Sequence, residues 1–169
     1  MMKETKRNKG KVLFLTQAAM IAAIYVVLVE VFAPISFSAI QCRIAEALTI
    51  LPYFTPAAVP GVALGCLIAN ILGGSAMLDI IFGTLATLLG AVGSYAVRSH
   101  KWAVPLPPII ANTLIVPWVL RFAYAESAPI YFLMAAVGIG EVIACGIFGM
   151  ILLFALQKYR QYIFRNEMA

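Results

Sequence analysis

Residues 44 to 72 read IAEALTILPYFTPAAVPGVALGCLIANIL, a run of 29 residues with one charged side chain, Glu46, interrupted by Pro52, Pro56, Pro60 and Gly61. A bilayer core about 30 Å thick takes about 20 apolar residues of helix to cross. The run is therefore either one kinked helix or two short helices folded as a hairpin around TPAAVP (55 to 60). The rest of the chain holds four unambiguous apolar segments, 12–33, 80–97, 104–122 and 130–157. The count of crossings, five or six, turns on this one stretch.

The distribution of basic residues chooses between them, because cytoplasmic loops carry the excess of Lys and Arg. Six spans, with the run divided into 44–54 and 57–72, put Lys3, Lys6, Arg7, Lys9, Lys11, Arg98, Lys101, Lys158, Arg160 and Arg165 on one side and leave Arg43 and Arg121 on the other. Five spans would move Arg98, Lys101, Lys158, Arg160 and Arg165 to the outer face. The reading is an all-α bundle of six transmembrane helices in one domain over 1–169, multi-pass in a bacterial cell membrane, with both termini cytoplasmic.

Composition agrees. Of 169 residues, 63% are hydrophobic and 11% charged, with mean hydropathy +0.98, against about 45–50% and about 25% in a soluble domain. Such a chain cannot cover itself in water, which excludes a disordered, collagenous, disulfide-built or nucleic-acid-binding domain. Cys42, Cys66 and Cys145 are odd in number and far apart, so no disulfide framework or C-x-x-C metal site can be written, and packing roles are expected. The basic N-terminus leads into an apolar run too long for a signal-peptide core, so a retained first span is expected.

The outer connections, 32–43 (FAPISFSAIQCR), 73–79 and 121–129, are apolar and aromatic, as segments that fold back over the bundle are. In the first span Ala18, Ala19, Ala22 and Ala23 form two overlapping A-x-x-x-A pairs, which let another helix approach closely. That helix belongs either to this bundle or to a separate membrane protein.

Carboxylates at a helix centre in the membrane cost roughly 2.5–3.5 kcal/mol on insertion scales, so Glu30, Glu46, Asp79 and Glu141 are functional candidates by default. Gln41, Arg43, Asn70 and Asn112 join them, near Phe32, Phe37, Tyr53, Trp118, Phe122 and Tyr124. The structural alternative pairs Arg43 with Glu46 three residues on, makes Asp79 a helix cap and uses the Asn residues to join helices. Flat aromatic surface with carboxylates and amides suits a planar, donor-rich small molecule. Enzyme motifs do not appear: there is no G-x-x-x-x-G-K-[ST] phosphate loop and no H-E-x-x-H. The single histidine, His100, lies in a basic inner loop. No catalytic residue, metal or cofactor is expected.

The runs Q-x-R-x-x-E-A-L-x-x-L-P-Y-F-T-P-A-A-V-P-G (41–61), G-C-L-I-A-N (65–70), D-I-I-F-G-x-L-A-T-L (79–88) and P-L-P-P-x-x-x-N (105–112) resemble the QueT family over nearly the whole chain. Cys42 is a minor departure. The family comprises substrate-binding (S) components of energy-coupling factor (ECF) transporters assigned to queuosine precursors. The resemblance implies a six-helix bundle that captures its ligand at the outer face and topples to release it inside. Energy would come from a transmembrane coupling protein and two ATPase subunits. It also implies that the alanine motif docks the coupling protein and that 32–43 is the gate.

A 7-deazaguanine such as preQ1, preQ0 or queuine presents N1–H and an exocyclic amine on one edge, beside a carbonyl that needs a donor. Glu141 and Asn112 are expected to read that edge, Glu46 or Asp79 to serve an aminomethyl group, and aromatics from 32 to 53 to stack on the base. Other open readings are an S component for another vitamin or nucleobase and a membrane assembly subunit without a ligand.

Overall fold

The computed structural model describes residues 2–32 and 43–163, and among these every regular element is helical. Six of the elements are labelled in chain order: α1 (Met2–Val31), α2 (Ala58–Leu72), α3 (Met77–Ala96), α4 (Leu106–Ala123), α5 (Ile130–Glu141) and α6 (Gly149–Ile163). A 3-10 helix, Ile44–Tyr53, precedes α2, and a π-helical stretch, Val142–Phe148, joins α5 to α6. Gly10–Val31, Met77–Ala96, Leu106–Ala123 and Ile130–Tyr159 are long and apolar enough to cross a membrane. The basic N-terminal residues, expected outside the first span, continue the same helix.

The run 44–72 divides at Phe54–Ala57 and folds back on itself. Arg43, just before the 3-10 helix, reaches Asn70 and Cys66 near the far end of α2, so the two elements are antiparallel arms of a hairpin. Pro52 lies inside the 3-10 helix and Pro60 in the first turn of α2, where a missing N–H costs least. A 3-10 helix of ten residues is long for its kind, and its rise of about 2.0 Å per residue stretches it to about 20 Å.

Small residues set the helix contacts. A Cβ on Gly61 would lie 2.9 Å from the Ala18 carbonyl oxygen, and one on Gly65 would lie 2.6 Å from Tyr25 Cβ. Ala18 and Ala22 are thus packed within the bundle, against α2, whereas Ala19 and Ala23 are exposed. The four alanines serve two faces, because each residue turns the helix by about 100°. Gly90 and Gly93 on α3 meet Pro108 and Pro107 in the same close manner, at 2.7 and 2.5 Å.

The core joins Tyr25 and Val29 of α1, Ile50, Leu51 and Phe54 of the hairpin, Val62 and Cys66 of α2, and Leu153 of α6. Outward-facing positions are as apolar as the core: Leu15, Val27, Ile71, Phe122, Tyr131 and Ile151 are all exposed. A surface of that kind suits lipid. At the end carrying Arg98 and Lys101, Ser94 donates to the Val104 carbonyl at 2.7 Å, and the Arg98 guanidinium lies 3.8 Å over the Tyr95 ring. The opposite connection, 121–129, is closed by Arg121, which donates to the carbonyls of Glu126 and Ala128.

Candidate functional site

Glu46 sits in the first turn of the 3-10 helix and is 1% exposed. Its Oε1 accepts hydrogen bonds from Tyr25 Oη of α1 and from Thr87 Oγ1 of α3, the latter at 2.9 Å. A buried carboxylate is tolerable only where donors replace water, and here two helices supply them. Tyr25 is placed by the Gly65 contact, so the α1–α2 packing and the orientation of Glu46 are one arrangement.

Asp79 stands in the first turn of α3. The residue at the cap position is Ala76 and no side chain caps the helix, so the expected capping role does not hold. Instead the Asp79 carboxylate lies against Gly83, where a Cβ would come within 2.8 Å of Oδ1, and Oδ2 accepts from Tyr124 Oη at 3.0 Å. Burial, above all, pushes the Tyr124 phenol above its ordinary pKa, which keeps it a donor.

Arg43 and Glu46 share a segment but form no ion pair among the described residues. Arg43 turns to α2, donating to Asn70 Oδ1 at 2.9 Å and approaching Cys66 Sγ at 3.7 Å. Asn70, fully buried, passes the link on by donating to the Asp79 carbonyl at 3.4 Å. The expectation that Asn70 joins helices therefore holds, with Arg43 as its partner.

Glu141 is the last residue of α5, and the π-helical stretch begins immediately after it. Such turns recur at functional sites because they re-aim side chains. Cys145 within it donates to Glu141 Oε2 at 3.2 Å and to the Glu46 carbonyl at 3.4 Å, with Thr49 Oγ1 at 3.5 Å. Cys66 takes part in the other half of the network, with Sγ 3.4 Å from Thr87 Oγ1 and accepting from Asn70 Nδ2 at 3.6 Å. Both thiols therefore do more than fill space. One atom each of Glu46, Glu141 and Cys145 lie within 4.8 Å of one another. That spacing would admit a metal ion; the thiol itself is hydrogen-bonded to the Glu141 carboxylate and to the main-chain carbonyl of Glu46. Asn112 stands beside Glu141 on α4, although its Nδ2 reaches no acceptor with hydrogen-bonding geometry.

These residues enclose one cavity, lined by Arg43, Glu46, Asp79, Asn112, Val116, Val137 and Glu141. Its volume is about 20 Å³, which is tight beside the pockets of about 300 Å³ and more that hold drug-sized ligands. Five of the expected site residues meet here, and Asn70 supports them from behind.

Tyr53 lies at the other end of the 3-10 helix, packed edge-on against Phe54 with ring centroids 4.9 Å apart. Trp118 is 50% exposed, stacked on Phe122, and lines a separate apolar groove between α3 and α4 with Leu78 and Phe82. Glu30 is exposed at the end of α1. Gln41, Phe37 and Cys42 lie outside the described residues. Five contributors went unrecognised in the sequence: Tyr25, Thr49, Cys66, Thr87 and Cys145. The available signal for Tyr25 and Thr87 was a hydroxyl near the middle of an otherwise apolar helix, where a partner is required.

A family profile described as "QueT transporter" matches residues 15–158. The queuosine precursor transporter QueT of Lactococcus lactis subsp. cremoris (strain MG1363) is 34% identical over 84 residues, 48% of this chain and 49% of that protein. The match thus spans about half the length of that relative. No solved structure matches the chain.

Proposed function

The chain belongs to the QueT transporter family and is a multi-pass membrane protein, and on that premise we propose that it is the substrate-binding component of an ECF importer for a queuosine precursor. The observation that carries this reading is the convergence of Arg43, Glu46, Asp79, Asn112 and Glu141 on one buried cavity. They come from four separate parts of the chain, and a purely structural role would not require them to face one space. The name of the relative from Lactococcus lactis supplies the ligand class, and the donor and acceptor content of a 7-deazaguanine suits these side chains.

In this reading the bundle crosses the membrane six times, the hairpin arms making two of the crossings. The cavity lies in the outer half, away from Arg98 and Lys101, and both termini are cytoplasmic. Glu141 and Asn112 read the ring edge, Glu46 or Asp79 serves the aminomethyl group, and Gln41 and Phe37 stand as further candidates from the sequence, whereas Tyr53 and Trp118, expected there too, stand away from the cavity. Ligand entry widens the cavity. Delivery inward is by toppling against a transmembrane coupling protein driven by two ATPase subunits, with the exposed Ala19 and Ala23 on the docking face.

Purified protein should bind preQ1, preQ0 or queuine in a direct binding measurement. Absence of measurable affinity for every 7-deazaguanine would reject the reading. Preferential binding of guanine or of an unrelated vitamin would keep the fold role and replace the ligand.

A further inference from the structure

Two buried atoms of the cavity residues have no hydrogen-bond partner, and they are of opposite kinds. Glu46 Oε2 is an acceptor without a donor, and Asn112 Nδ2 is a donor that lies beside the Glu141 carboxylate without closing a well-formed hydrogen bond; their residues are 1% and 3% exposed. Native structures seldom leave such groups orphaned, and each one calls for an explanation. The rest of Glu46 is already fixed, since Oε1 is held by Tyr25 and Thr87, so the side chain presents Oε2 with little freedom to turn it elsewhere. Glu141 is close by, one oxygen from each carboxylate lying within 4.8 Å of the other. Asn112 stands on the Glu141 side.

The complement of this set is a flat edge carrying two adjacent donors and then an acceptor. A 2-aminopyrimidin-4-one ring has that order: the exocyclic amine, the ring N1–H, and the carbonyl. Resting on the ligand class proposed above, we infer that the edge is shared between the two acids. Glu46 Oε2 accepts from the 2-amino group, Glu141 accepts from N1–H, and Asn112 Nδ2 donates to the carbonyl. Glu46 is then the residue that selects for the 2-amino group. The substituent on the five-membered ring falls to Asp79, whose backbone and carboxylate are held by Asn70 and Tyr124.

The test compares preQ1 with its analogue bearing hydrogen in place of the 2-amino group, by competition binding to the full-length protein in nanodiscs. A hydrogen bond to a charged partner predicts that the analogue binds about 10- to 150-fold more weakly to the wild type. In Glu46→Gln the ratio should shrink to a few-fold, because the remaining discrimination no longer involves a carboxylate. Should Glu46→Gln fail to fold, the wild-type ratio still decides, since it needs no variant. Equal affinity of the two ligands for the wild type overturns the inference. So does an unchanged ratio in a folded Glu46→Gln whose affinity for both ligands has fallen equally, which would assign Glu46 to the aminomethyl group. If no 7-deazapurine binds, the importer reading falls and takes this inference with it; if preQ1 binds without discrimination, only the inference falls.

Discussion

Gly65→Ala reads from the sequence as a benign change that should help, since alanine is favoured over glycine in a helix by about 1 kcal/mol. The packing reverses the sign. A Cβ at position 65 would stand 2.6 Å from Tyr25 Cβ and 3.0 Å from both the Ala22 carbonyl oxygen and Tyr25 Cγ. Carbon atoms in contact prefer about 3.5–4.0 Å, so α1 and α2 must part by about 1 Å. The obstacles are a backbone atom and the root of a side chain, and neither can rotate aside.

Overpacking of this kind costs about 1–3 kcal/mol. Parting the helices also draws Tyr25 Oη away from Glu46, and losing a hydrogen bond to a charged group costs about 1.5–3 kcal/mol. Net of the propensity gain, the variant should be less stable by about 1.5–5 kcal/mol, which lowers Tm by about 3 °C or more for a chain of this size. Thermal unfolding in detergent checks this, with Gly10→Ala as the matched control, since a Cβ there meets nothing within 4 Å. If Gly65→Ala proves as stable as Gly10→Ala, the α1–α2 contact does not have the geometry described.

Three further outcomes follow from the same arrangement. Glu141→Gln should weaken precursor binding by about tenfold or more, whereas Glu30→Gln, at an exposed position, should leave it unchanged; equal effects would refute the site assignment. Thr87→Val keeps the shape but removes the donor 2.9 Å from Glu46 Oε1, so affinity should fall about tenfold, and a titration matching wild type would show that Thr87 does not hold the carboxylate. Leu at Ala19 and Ala23 should block co-purification with the coupling protein and spare ligand binding. Leu at Ala18 and Ala22 should instead abolish the folded protein in size-exclusion and thermal assays, because those residues face Gly61 and Gly65.

Much of the architecture is legible in the sequence. Four apolar segments correspond to the four long helices, and the prolines of 44–72 correspond to a hairpin with its turn at Phe54–Ala57. The 3-10 form of the first arm was not readable, since nothing in IAEALTILPY separates i→i+3 from i→i+4 bonding. The π-helical stretch after Glu141 was equally silent, although it carries Cys145 to the carboxylate. The structural alternative for Asp79, a helix cap, fits its position at a helix start but does not hold, and the partner that claims the carboxylate, Tyr124, is 45 residues away.

Composition and the long apolar segments were enough for a helical membrane bundle, because burying helices in lipid is a one-dimensional constraint that a chain satisfies segment by segment. Choosing among the polar residues inside it is a three-dimensional matter. Glu46, Asp79, Asn112 and Glu141 are separated by about 30 residues each along the chain, and whether they converge depends on the rotation and depth of every helix. Close contacts at Gly61, Gly65, Gly90 and Gly93 set those rotations. They bring four of these acids and amides to one cavity while leaving Glu30 and Trp118 outside it, and they divide one alanine cluster between an inner and an outer face.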